Sequence, residues 1–188
     1  MATRNILFIS ANRGLGLGLL KVFKESGYNV FGIEIIAAAA QSYGNDRALD
    51  VLLDTTAESL IYQYRIITVG LLLASKSLLP SLKKSKFVKI VNITLEWISI
   101  AANNCRTHIS YRVPKSVLNA LRISVAIELR AAEENIAVLC VNPGEVPTKL
   151  SRWAGDIDLN DSVRSMYEQI EKATIENTGL FVNWRGHK

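Results

Sequence analysis

Ile6-Leu7-Phe8-Ile9-Ser10-Ala11-Asn12-Arg13-Gly14-Leu15-Gly16-Leu17-Gly18 is the stretch that decides the fold. Four consecutive apolar residues predict a strand buried on both faces, as in a parallel sheet. Ser10 to Gly14 reads as a loop. The chain then reads as a helix to about Ser26, with Gly27 as its C-cap. Strand, glycine-rich turn and helix together suit a pyrophosphate. Glycines admit close backbone approach, and the first helical turn offers unpaired N–H groups at the positive end of its dipole. Ser10, Asn12, Arg13, Gly14, Leu15 and Gly16 are the candidate phosphate-side residues, with a purely structural turn as the alternative.

Further along, strand and helix patterns alternate. Asn29 to Ile35 reads as a second strand, Leu49 to Leu53 as a short apolar run, and Glu58 to Leu79 as a long apolar helix ending near Pro80. Phe87 to Ile93 is a strand. Val113 to Glu134 is an amphipathic helix with Val117, Leu118, Leu121, Val125 and Leu129 on one face. Ile136 to Val141, Asp161 to Ile175 and Gly179 to Val182 complete the series as strand, helix and short strand. This alternation predicts an α/β protein: a Rossmann-like, doubly wound parallel sheet in three layers, one domain spanning residues 1–188.

Bulk properties fit a soluble globular chain. Of 188 residues, 49% are hydrophobic and 21% charged. The formal charge of +5 comes with short basic runs such as Lys83-Lys84-Ser85-Lys86, but no basic stripe interleaved with aromatics, so a solvated face is expected and no nucleic-acid partner. The two cysteines, Cys105 and Cys140, form neither a disulfide framework nor a metal-ligand spacing, so no metal is expected. Cys140, in an apolar run, reads as core. The N-terminus lacks a signal-peptide pattern, and the greasiest stretch, Ile66 to Leu82, is interrupted by Lys76 and Pro80, so a cytoplasmic protein with no membrane partner is expected.

Glu34 stands 20 residues after Gly14, at the end of the second predicted strand. An acid there can accept a hydrogen bond from a ribose 2′-hydroxyl and repels a 2′-phosphate, whereas Arg13 would meet such a phosphate. NAD and NADP therefore both stay open. In Tyr111-Arg112-Val113-Pro114-Lys115 the spacing of four sets a phenol and an ammonium on one face at the start of a helix. A free phenol titrates near pH ~10, and a neighbouring ammonium favours its ionised form, which suits it to acid–base work. Tyr-x-x-x-Lys taken singly also fits ordinary surface packing.

Taken in order, these segments resemble the short-chain dehydrogenase/reductase family, in its small carbonyl-reductase-like branch. Ile9 to Leu17 resembles the family's glycine motif. Lys89-Ile90-Val91-Asn92-Ile93-Thr94 resembles the strand leading to its active-site serine, and Tyr111 to Glu128 its Tyr-x-x-x-Lys helix. Val141 to Thr148 resembles its Pro-Gly loop, and Asp161 through Phe181 its tail. The resemblance implies an NAD(P)-dependent oxidoreductase acting on a small or hydrophobic carbonyl or alcohol. Tyr111 would be the acid/base and Lys115 its modulator and a ribose ligand. Asn92, Pro143, Gly144, Val146 and Thr148 would border the cofactor. It also implies association into a dimer or tetramer through the Tyr-x-x-x-Lys helix and the long helix before it.

Departures from the family pattern are specific. Ser10 replaces the first glycine, Leu95 stands where the serine belongs, and Ile67 stands where an asparagine is expected. Thr94 or Ser99 is left as an imperfect substitute for the serine. The family's Asn-Asn-Ala-Gly segment is absent, with Asp54 to Ala57 near its place. Only 13 residues separate Ile35 from Leu49, including Ala37 to Ala40, where relatives carry a helix, a strand and a helix. In the usual strand order 3-2-1-4-5-6 the lost strand is an edge, so the sheet survives while the adenosine side is weakened. The degenerate site leaves two other readings open. One is a non-redox isomerase, dehydratase or cyclase that still uses Tyr111 and Lys115. The other is a catalytically dead protein that acts through a partner or as a signal. Trp153, in the predicted substrate-lid loop, would contact an apolar ligand or pack the loop down.

Overall fold

The computed structural model describes residues 4–9, 14–33, 50–94, 100, 105–148, 151 and 153–187. Its elements run β1 (Arg4–Ile9), α1 (Gly14–Glu25), β2 (Tyr28–Ile33), α2 (Ala57–Tyr64), a π-helical turn (Arg65–Val69), α3 (Gly70–Leu82), β3 (Val88–Ile93), α4 (Ile109–Ala131), β4 (Ile136–Asn142), α5 (Leu159–Glu171) and β5 (Leu180–Asn183). All pairings are parallel and the strand order is β2-β1-β3-β4-β5. That is the order left when the outermost strand of the 3-2-1-4-5-6 arrangement is removed, as the short spacing after Ile35 implies. The order reverses between β1 and β3, and in open α/β sheets that crevice, at the carboxyl ends of the strands, is where ligands bind.

Alternation along β3 and β4 divides the core in two. Val91, Leu139 and Val141 face α1 and α5, packing with Leu19, Phe23, Val163, Met166 and Ile170. Val88, Ile90, Ile136 and Val138 face the other layer, packing with Leu82, Ala126 and Leu129. Residues buried as fully as Phe23, Leu19 and Ile170, at 0% exposure, contribute roughly 1.5–3 kcal/mol each. Gly18 lets α1 and α5 approach closely: a Cβ there would lie 2.7 Å from Val163 Cγ2. Lys89 is a buried charge on the α5 side of the sheet. Its Nζ meets Glu171 Oε1 at 3.3 Å and the Glu171 carbonyl at 3.1 Å, so the charge is paired.

Several boundaries differ from the sequence expectation. Val51 to Asp54 form a turn rather than an extended run, because Asp54 and Thr55 both donate to the Val51 carbonyl, and this leaves Leu52 and Leu53 exposed. The long helix does not end at Pro80: α3 runs on to Leu82. Proline removes one donor, towards the Lys76 carbonyl, and both residues lie on the exposed side of the helix. α4 starts at Ile109, four residues before Val113, and its buried stripe is Ser110, Pro114, Leu118, Arg122, Ala126 and Leu129. Leu121 and Val125 flank it, but Val117 lies on the exposed side. Cys140 is fully buried, as expected. Ala57–Leu82 is long and apolar enough to cross a membrane by length and composition, although Lys76 and Pro80 interrupt it. Here it lies along α4, packing Ile67 and Leu71 inward.

Candidate active site

The carboxyl ends of β1, β3 and β4 carry those of the sequence-predicted residues that the structure describes. Gly14 opens α1 in a left-handed conformation (φ 52°), and a Cβ on it would lie 3.8 Å from Thr148 Cγ2. The glycine turn and the Pro-Gly loop therefore meet over the sheet edge. α1 carries no acidic residue in its first turn. Gly16 is buried at the base of this turn and Leu15 half-buried. Ser10, Asn12, Arg13 and Glu34 lie outside the described residues, as do Leu95, Ser99 and Ala37 to Ala40.

The Pro-Gly loop is held rigidly. Ser162 Oγ donates to the Pro143 carbonyl at 2.8 Å, and Asn142 Oδ1 accepts from the Gly144 N–H at 3.0 Å. Gly144 requires glycine on two counts: φ is 77°, and a Cβ would come within 2.4 Å of Ile157 Cδ1 and 2.7 Å of Trp184 Nε1. Val146 is buried. Ser151 Oγ accepts from the Thr148 N–H at 2.9 Å, closing the turn that follows. Trp153 is 72% exposed, so it does not pack the loop down. Gly144 also lines a cavity of about 790 Å³, together with Asp158, Arg164, Trp184 and Arg185. Among the described residues neither Tyr111 nor Lys115 lines it.

Tyr111 and Lys115 stand one turn apart at the start of α4, both half-buried. Lys115 Nζ lies 5.7 Å from the centre of the Tyr111 ring and donates to the Ile93 carbonyl at the end of β3, at 3.2 Å. Thr94, the next residue, is buried. Its N–H donates to Val141, while its Oγ1 has no hydrogen-bond partner among the described residues. Alternation places Asn92 and Thr94 on the α4 face of the sheet. Ile67, at the expected asparagine position, is buried with Leu118, and the Tyr111 ring packs against that pair. The phenol thus has an aliphatic neighbour where the family pattern has an amide.

Two thiols lie near these elements and differ in state. Cys140 is pushed up to about 11 by burial, which outweighs the opposing charges of Arg122 and Lys115. Cys105 is partly exposed. Burial raises it, but hydrogen bonds with Thr107 and the Arg112 charge outweigh that and hold it below the ordinary thiol value. Arg112 Nη1 also donates to the Cys105 carbonyl, tying this segment to α4. Sequence reading missed Asp50 and Thr68. Both are buried polar residues bonded to α4 across 60 and 46 positions of chain, and a local pattern carries no signal at such separations.

No family model matches the chain. A curated relative, C-signal from Myxococcus xanthus, is 28% identical over 123 residues, covering 65% of this chain and 73% of the relative. Among solved structures, the NADPH-bound carbonyl reductase from chicken fatty liver superposes with a TM-score of 0.78 at 22% identity, covering 100% of this chain and 98% of that one. A protein from Burkholderia multivorans designated a short-chain dehydrogenase/reductase, with bound NADP, gives 0.77 at 18% identity, covering 99% and 98%. The fold is that of the carbonyl reductases and short-chain dehydrogenase/reductases.

Proposed function

We propose that the chain is a single-domain NAD(P)-dependent oxidoreductase that reduces the carbonyl of a small or hydrophobic substrate, or oxidises the corresponding alcohol. The observation that carries this reading is the Tyr111–Lys115 pair at the sheet's switch point, with a Thr94 hydroxyl at the end of β3 that has no partner among the described residues. Structural neighbours with bound NADPH or NADP support it.

The residues fit the cofactor on the side the described chain includes. Backbone N–H groups at Gly14, Leu15 and Gly16 would receive the pyrophosphate, in a turn open enough at Gly14 to accept it. Lys115 and Asn92 would face the nicotinamide ribose, and Pro143, Gly144, Val146 and Thr148 would border the nicotinamide end. Ser10, Asn12, Arg13 and Glu34 would complete the phosphate and adenosine side, with Glu34 favouring NAD and Arg13 favouring NADP. The chemistry supplied by a bound nicotinamide dinucleotide is the hydride.

Tyr111 Oη gives a proton to the substrate oxygen as the carbonyl carbon gains the hydride, so carbonyl, hydride and proton become the alcohol. Lys115, anchored on Ile93, keeps positive charge beside the phenol during that transfer. Thr94 Oγ1 donates to the same substrate oxygen, with Ser99 as the other hydroxyl for this role. Ile67 and Leu118 exclude water from the inner side of the phenol. A panel of carbonyl compounds with NADPH and NADH tests the reading: turnover lost in Tyr111→Phe supports it, and undiminished turnover removes the role assigned to Tyr111.

The name of the Myxococcus relative, C-signal, favours a second reading, a partner-binding or signalling protein on the same fold. A stable complex with another chain, in a protein that neither binds a nicotinamide dinucleotide nor turns over a carbonyl, would establish that alternative. We also assign the exposed apolar face of α2, α3 and α4, with Ile61, Leu73, Val113 and Ile127, to a homo-oligomer contact in a soluble cytoplasmic protein. Sedimentation as a monomer at assay concentration would remove it.

A further inference from the structure

We infer that Asp50 and Thr68 are positioning residues that pin the turn of α4 bearing Tyr111 and Lys115 from outside the helix. This deepens the reductase reading and rests on it.

α4 is poorly held by its own residues at this end. Its N-cap, His108, has φ 64° and makes no side-chain cap, and Pro114 withdraws one donor from the second turn. A start of that kind frays unless something else satisfies it. Asp50, 60 residues earlier, supplies what is missing. Its Oδ2 accepts from the Ser110 N–H at 2.9 Å and from Thr55 Oγ1 at 2.8 Å, and its backbone carbonyl accepts from the Ile109 N–H at 3.4 Å. The carboxylate is buried and stands at the positive end of the helix dipole, where a negative charge is favoured.

The second pin enters from the side. Thr68 Oγ1 donates to the Pro114 carbonyl at 2.9 Å, with both residues buried, and that carbonyl belongs to the peptide that leads into Lys115. A helical threonine commonly turns its hydroxyl back to a carbonyl of the preceding turn. Thr68 instead reaches across to another helix. It does so within the π-helical turn, where the Gly70 N–H bonds to the Arg65 carbonyl five residues back. The widened turn presents two successive side chains, Ile67 and Thr68, inward: both are buried, at 4% and 2% exposure. Asp50 and Thr68 thus fix the turn at Ser110 and at Pro114, bracketing Tyr111, and neither hydrogen-bonds to the phenol or the ammonium.

Displacing a catalytic group by about 1 Å costs on the order of 100-fold in rate. Thr68→Val and Asp50→Ala are therefore expected to lower kcat about tenfold or more. Thr68→Ser and Asp50→Asn, which keep the donor and an acceptor, are expected to restore most of it. Amide hydrogen exchange on the full chain gives a readout independent of activity. Exchange should quicken across residues 109–115 in Thr68→Val and Asp50→Ala while residues 118–129 keep their protection. Unchanged exchange at 109–115 would overturn the pinning. So would a thermally destabilised variant whose kcat per folded molecule equals that of the parent, or a serine variant no better than the valine. A parent protein inactive on every carbonyl would defeat the reductase reading separately, with the exchange result still deciding whether these two residues hold the turn.

Discussion

Replacing Thr94 with valine should make the protein more stable and less active at once. Thr94 is 4% exposed, and its hydroxyl has no partner among the described residues, whereas water satisfies it when the chain unfolds. An unsatisfied buried hydroxyl costs about 1–3 kcal/mol, and valine fills nearly the same volume without it. Thr94→Val is therefore expected to gain about 1–3 kcal/mol, and each kcal/mol raises Tm by about 2–4 °C in a chain of this size. If the hydroxyl donates to the substrate oxygen, turnover falls by about 10²–10³-fold. Thr94→Ser separates the two effects: it keeps the hydroxyl and activity, and loses some packing. Thermal unfolding and kcat/KM on the same preparations check this. A valine variant that is less stable and equally active would refute the reasoning, because it would mean that the hydroxyl is paired in the folded state and absent from the chemistry.

Three further outcomes follow from the packing and the thiols. Gly18→Ala sets a methyl 2.7 Å from Val163 Cγ2, so it should destabilise by about 1–3 kcal/mol. Val163→Ala in the same chain should recover part of that, as read by denaturant unfolding of the double-mutant cycle. Cys140, pushed by burial from an ordinary 9.0 up to about 11, stays protonated in the folded state where the unfolded chain ionises. Its contribution is complete below pH 9 and is lost as pH rises through 11. The span is about 3 kcal/mol, and Cys140→Ala should flatten that part of the stability–pH curve. A thiol reagent at neutral pH should label Cys105 and leave Cys140 untouched until the protein unfolds, as intact mass would show.

Much of the fold was legible because its signals are local. The runs at Ile6 to Ile9, Phe87 to Ile93 and Ile136 to Val141 are apolar on both faces, as buried parallel strands require, and all three became central strands. Gly27 and Gly144, both with positive φ, stand at the turns expected of them. Boundaries that depend on distant partners were not legible. α4 begins at Ile109, beside an acceptor supplied from Asp50. Val117 fits the helical period of the core stripe yet faces outward, because the neighbours of α4 set which side is buried. In the site, the Tyr-x-x-x-Lys spacing set Tyr111 and Lys115 on one turn of α4, where they stand side by side, but Thr68, reached through a π-helical turn, has no periodic signature at all.

Calorimetric titration of the full chain with NADPH and with NADH tests the central claim most directly. Saturable binding in the micromolar range, weakened by Gly14→Val and by Lys115→Met, is the result this account predicts. Heats indistinguishable from dilution for both nucleotides, from a protein shown to be folded, would contradict it.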